Sequence, residues 1–211
     1  MIPYISVQTL FQPLITFAQT ASSISSKEVT NSPVEAPKSI DVPFYSQLKD
    51  IQSPDWKKRG CGVASLAMLI EYYKPGTVSV NTLLKQAIVS GAYLQNAGWK
   101  HRDLALLSKK YGLSGQNYDL SGSTKDVAFA EISEFLKDGP VMASIYYKFD
   151  PKSTIPHLVV INNIVGDTVY YNDPAEENAG KQISTDDFRK GWKKRFIVVR
   201  PTNNEVLLAK K

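Results

Sequence analysis

The chain of 211 residues has one cysteine, set in Arg59-Gly60-Cys61-Gly62-Val63-Ala64-Ser65-Leu66-Ala67-Met68, between two glycines at the head of an apolar periodic run. Val63, Leu66, Ala67 and Ile70 fall at i, i+3, i+4 and i+7, which predicts an amphipathic helix from about residue 61 to Tyr73 with that face buried. Cys61 then caps its start. The open N–H groups and positive dipole end of a helix favour an anion, and the thiolate is the nucleophilic form of cysteine. Gly60 and Gly62 would let another backbone approach the sulfur closely. The competing reading is structural, since a lone cysteine is most often a small buried hydrophobe.

A nucleophilic thiol needs a base to take its proton and a third group to hold that base in one tautomer. His157 opens the apolar run His157-Leu158-Val159-Val160-Ile161-Asn162-Asn163-Ile164, and Gly166-Asp167 makes a tight turn into Thr168-Val169-Tyr170-Tyr171. The two runs read as a β-hairpin, which brings residues near 157 and 173 to the same open end. Asp173, stiffened by Pro174, is therefore within side-chain reach of His157. Each also has a bland reading, as a hydrogen-bonded edge histidine and as a turn residue before proline. The other histidine, His101, sits beside Lys100 and Arg102 and reads as a surface residue. Two histidines and one cysteine at these spacings do not supply the three or four ligands of a zinc site, so neither metal nor cofactor is expected.

The elements that must position these residues follow in chain order. Ile40 to Gln47 is a short apolar edge segment, kept from a sheet centre by Pro43, and places Gln47 facing Cys61 across a polar loop from Leu48 to Arg59. Ser79 caps a second helix to about Val89, with Val80, Leu83, Leu84 and Ala87 on one face. After a loop through Gly98 and Trp99, a third helix runs from about Arg102 to Tyr111 and stops at Gly112. Beyond a Gly/Ser loop, Ser123-x-x-Asp126 resembles a capping box for a fourth helix to about Lys137, burying Phe129, Ile132 and Leu136. The period then changes to two at Val141–Tyr147, the first strand. The hairpin follows it, then a polar loop to Gly180, a short helix capped by Ser184, and a last strand at Arg195–Val199. Helices first and an antiparallel sheet second predict an α+β domain, two layers facing one another across a cleft. Trp56, Trp99 and Trp192 could line the cleft, and core packing is the favoured reading for each.

With 43% hydrophobic and 21% charged residues, the chain can build one core of ordinary size, expected over residues 40–201. Residues 1–21 carry no charge and are mostly apolar, and residues 22–39 are rich in Ser, Pro, Glu and Lys. They read as an export segment and a flexible linker, which implies a secreted or surface-associated protein, although the basic start of a signal peptide is absent; the alternative is an N-terminal arm packed on the domain of a cytoplasmic protein. Residues 202–211 read as a tail. A net charge of +5, scattered in small clusters, fits weak association with anionic cell-surface polymers. No nucleic-acid motif accompanies it.

The combination of Val42-Pro43-Phe44-Tyr45-Ser46-Gln47, Gly60-Cys61-Gly62-x-Ala64-Ser65-Leu66-Ala67-Met68 and His157-Leu158-Val159-Val160 with Asp173-Pro174 resembles, in order and wording, a family of bacterial peptidases. These are the papain-like cysteine peptidases of the bacteriocin-processing, double-glycine-leader type, family thirty-nine, in its stand-alone branch. The resemblance spans roughly Ile40 to Pro201. It implies a papain-like fold with an N-terminal helical layer on a C-terminal antiparallel sheet. It also implies Cys61 as nucleophile, His157 as general base and acid, Asp173 as its orienting partner and Gln47 as a side-chain oxyanion donor. The expected substrate is a peptide or protein. Leader-processing relatives are usually joined to an exporter, and no transporter or nucleotide-binding motif occurs here, so a double-glycine leader is one candidate substrate. Two other readings remain: transglutaminase-like or amidase acyl transfer on a related scaffold, and a peptide-binding module without turnover.

Overall fold

The structure, a computed structural model, describes residues 40–95 and 97–202. The export segment at 1–21, the linker at 22–39 and the tail beyond residue 202 lie outside them. Helices α1 (Pro54–Lys57), α2 (Cys61–Tyr73) and α3 (Val80–Val89) come first, followed by a small hairpin of β1 (Tyr93–Leu94) and β2 (Gly98–Trp99), and by α4 (His101–Leu107). Next are β3 (Leu113–Asp119), α5 (Lys125–Lys137), β4 (Val141–Tyr146), β5 (Pro156–Val165), β6 (Thr168–Asn172), β7 (Lys181–Ser184), α6 (Thr185–Gly191) and β8 (Trp192–Pro201). Among the described residues, six strands form one antiparallel sheet in the order β3-β8-β4-β5-β6-β7. No helix among these residues is long and apolar enough to cross a membrane.

The middle strands explain the layering. In β4, β5 and β8 alternate residues enter two separate cores: Met142, Leu158, Val160, Ile197 and Val199 join α2, α3 and α4, while Val141, Ala143, Val159, Ile161, Phe196 and Val198 face α5 and α6. A strand buried on both faces reads as a continuous apolar run. The expected helical layer thus packs on one face of the sheet, and α5 with α6 adds a further layer on the other.

Helix α2 is also more enclosed than a one-faced pattern implies. Every residue from Cys61 to Ile70 is buried, as expected for a helix apolar on all sides, and Gly62, Ala64 and Ala67 are small enough to let neighbours close in. Its one polar side chain in that stretch, Ser65, donates its hydroxyl to the carbonyl of Leu158 in β5 at 3.2 Å.

Several local expectations shift. The capping residue of α5 is Thr124, whose hydroxyl accepts from the Val127 N–H, and not Ser123. The Gly/Ser loop contains β3, whose Ser, Gly, Gln and Asn are paired along β8 and so were hidden from a reading by β propensity. The loop to Gly180 ends in β7, another short polar edge strand. The segment before Gln47 is extended but pairs with no strand. Gly112 does end its helix, at φ +73°, after a 3₁₀ turn over Ser108–Tyr111.

Candidate active site

Cys61 is the first residue of α2, and its N-cap Gly60 offers no side-chain bond to the first-turn N–H groups. Those donors therefore surround the thiol. The lead-in is clamped twice: the Gln47 amide Nε2 donates to the Lys57 carbonyl at 2.8 Å, and the Trp99 indole N–H donates to the Arg59 carbonyl at 2.6 Å. The flanking glycines serve this clamp. A Cβ on Gly62 would stand 2.7 Å from the Trp99 ring and from Leu104, and one on Gly60 would stand 2.0 Å from Ile51 Cδ1. Side chains, rather than the backbone expected from sequence, are what approach so closely.

His157 at the start of β5 and Asp173 just past β6 meet as the hairpin geometry requires. His157 Nε2 lies 2.6 Å from Asp173 Oδ1, with both residues buried, at 4% and 6% exposure. Asp173 Oδ1 also accepts from the Ala175 N–H at 2.8 Å, which locks the carboxylate in a turn. The imidazole and the Cys61 side chain line the same cleft. With Nε2 taken by Asp173, the nitrogen left for sulfur is Nδ1. Tyr147 covers the ring edge-on, with centroids 5.2 Å apart.

The strap carrying Gln47 is tied to the Asp173 turn. The Gln47 N–H donates to the Pro174 carbonyl at 2.8 Å, Ser46 Oγ donates to the Glu176 carbonyl at 2.9 Å, and Asn172 Nδ2 donates to the Val42 carbonyl at 3.1 Å. Gln47 thereby reaches the same cleft as Cys61. One N–H of its Nε2 holds Lys57, which leaves the second free. Ser46, Ser65 and Asn172 were not singled out from sequence. Their signal was available: a polar side chain inside a buried run needs a partner, and in each case that partner is backbone of the site.

Burial alone would push the His157 imidazole toward its neutral form. Its hydrogen bonds to Asp173 and Cys61, and the charges of both, outweigh that and raise its pKa from 6.5 to about 10. A raised value stabilises the folded protein fully below about pH 6.5, and this contribution is lost as pH rises through about 10. The stability lost on His157→Gln, measured by urea unfolding, should therefore be smaller above pH 10 than near pH 6.

An open cleft of about 1080 Å³ contains Cys61, His157 and Gln47. Trp99, expected in the core, is 7% exposed yet forms part of its wall, while Trp192 is core and Trp56 packs on Trp99. His101 corrects its surface reading. As first residue of α4 it lines the cleft, where burial and then Arg195 hold its pKa below the usual imidazole value.

A buried cysteine at a helix start, with His157 beside it in a cleft and a helical layer packed on an antiparallel sheet, matches the α+β architecture of the papain-like fold. A model of the Peptidase_C39 like family matches residues 39–199, and the chain belongs to that family. It is a cysteine-type peptidase. Among solved structures, the chain is similar to a double glycine motif protease from an AMS/PCAT transporter in complex with the leader peptide. Identity there is 23%, with TM-score 0.52, covering 79% of this chain and 96% of that one. It is also similar to a C39-like peptidase from Bacillus anthracis, at 20% identity and TM-score 0.56, covering 77% and 96%. The peptidase domain of Streptococcus ComA matches at 17% and 0.51, covering 69% and 93%. At these identities the likeness is one of fold. Among curated proteins, none matches the chain.

Proposed function

We propose that the protein hydrolyses peptide bonds through Cys61, His157 and Asp173, with Gln47 completing the oxyanion site. The observation that carries this is the buried 2.6 Å contact of His157 Nε2 with Asp173, which leaves the other ring nitrogen for the thiol at the start of α2. In the resting pair Cys61 is thiolate and His157 imidazolium. The sulfur attacks the scissile carbonyl, and the oxyanion is held by the Cys61 backbone N–H and the free N–H of Gln47 Nε2. His157 Nδ1–H protonates the leaving amine. The resulting thioester is hydrolysed when Nδ1 takes a proton from water and the hydroxide adds to the carbonyl, expelling the thiolate. Through both halves Asp173 Oδ1 accepts Nε2–H, which fixes the tautomer.

The substrate is a peptide or protein segment able to lie in the open cleft. The similarity to a protease complexed with a leader peptide supports a peptide ligand and keeps a double-glycine leader as a candidate. The test is digestion of a peptide library with a labelled primary amine present. New free carboxyl termini are expected; amine attached to glutamine without cleavage would favour the transglutaminase-like reading. Gln47→Ala should lower kcat by about 10²- to 10³-fold with little change in KM, as removal of one oxyanion donor does. An unchanged kcat would remove Gln47 from the set.

A further inference from the structure

Six cations line the active-site cleft, Lys58, Arg59, Lys100, Arg102, Lys193 and Arg195, against two carboxylates. Both carboxylates are already engaged: Asp103 pairs with Lys100, and Asp119 Oδ2 accepts from Arg195 Nε at 2.9 Å. Among the described residues, Lys193 and Arg102 have no carboxylate partner, and neither terminal nitrogen of Arg195 is bonded. Lys193 rests over the Tyr146 ring, 4.7 Å from its centroid. Burial and the adjacent Arg195 hold its pKa below the usual lysine value, and His101 feels both neighbours. The cations of the cleft thus outnumber its carboxylates, and Lys193 and Arg102 are left without a carboxylate partner among the described residues.

Strand register places this field relative to the reacting atoms. Leu158, next to His157, pairs with Ser144 in β4; Ser144 pairs with Arg195 in β8, and Arg195 with Asp119 in β3. The row crosses one face of the sheet along the cleft. Two strand spacings of about 4.8 Å separate the histidine strand from β8, so the Arg195 backbone lies about 10 Å across the sheet from the strand that carries His157. An extended peptide advances about 3.3 Å per residue, so that distance corresponds to about three residues.

Resting on the peptidase reading above, we propose that Lys193 and Arg195, with Arg102 from α4, form a subsite for a substrate carboxylate. It takes an Asp or Glu side chain three or four residues from the scissile bond. The unbonded fork of Arg195 supplies a planar pair of donors, and Lys193 supplies a point charge beside it.

The test has a cleavage arm and a binding arm. Digestion of a proteome-derived peptide library, read by mass spectrometry, should enrich Asp and Glu three or four residues from the cleaved bond. A cleaved peptide and its Glu→Gln twin should then differ roughly five- to tenfold in kcat/KM, the size expected of one or two partly exposed ion pairs. The difference should shrink in high salt and vanish in the Lys193→Gln/Arg195→Gln/Arg102→Gln protein. Cleavage indifferent to that charge, or a preference surviving in the triple variant, overturns the subsite. Whether or not the library is cleaved, a labelled extended peptide carrying one Glu and its Gln twin are compared for binding to Cys61→Ala protein by fluorescence anisotropy. Tighter binding of the Glu twin without cleavage by wild type would sustain the subsite and sink the peptidase reading; equal or absent binding of both twins overturns the subsite.

Discussion

Replacing Cys61 by Ala should abolish peptide hydrolysis, with kcat falling by about 10⁶-fold, the loss seen when a covalent nucleophile is removed from a set that acts as a unit. Alanine differs there by the sulfur alone. The helix start, the Trp99 clamp and the first-turn N–H groups need no thiol, so circular dichroism and urea unfolding should report an intact fold. His157→Ala should cost about as much, and the double variant little more than either single one, because neither group works without the other. Additive losses from the two sites would mean that they act in separate steps.

Asp173→Ala should lower kcat by roughly 10²- to 10⁴-fold, the range spanned by loss of general-base power and by a wrong tautomer. The reason is local. His157 is 4% exposed, so without the carboxylate its Nε2–H is buried with no acceptor, and the ring is free to move its proton or rotate. Asp173→Asn retains an oxygen that can accept Nε2–H, so it should recover part of that activity while lacking the charge that favours imidazolium. Steady-state kinetics of the three proteins decide it. Equal activity of the Ala and Asn variants would show that Asp173 does not act through the ring.

The helix start and the hairpin were legible because each is set by short-range chemistry: an apolar 3.6-residue period after Gly60-Cys61, and a Gly166-Asp167 turn that fixes which strand ends meet. The tie between Ser46–Gln47 and Pro174–Glu176 was not, since it joins residues about 130 positions apart through backbone groups that any sequence carries. His101 was misplaced for a related reason. Its neighbours Lys100 and Arg102 look like a solvated face, but the start of α4 borders the open cleft, and His101 lines it with them. The strands β3 and β7 escaped notice because edge pairing supplies their order and their side chains are polar. Helix α2 read as one-sided because Val63, Leu66, Ala67 and Ile70 alone fit the helical period, while Gly62 and Ala64 leave no apolar signature of their own burial.

In the proposed mechanism His157 holds Cys61 as a thiolate ready to attack. The most direct test of this is the second-order rate of iodoacetamide alkylation at neutral pH, followed by mass spectrometry on wild type and His157→Ala. Cys61 is the chain's one cysteine, so the label reports it alone. Fast alkylation of wild type and at least tenfold slower alkylation of the variant are expected, since a buried thiol without its imidazolium is neither charged nor assisted. Equal rates in the two proteins would contradict the account.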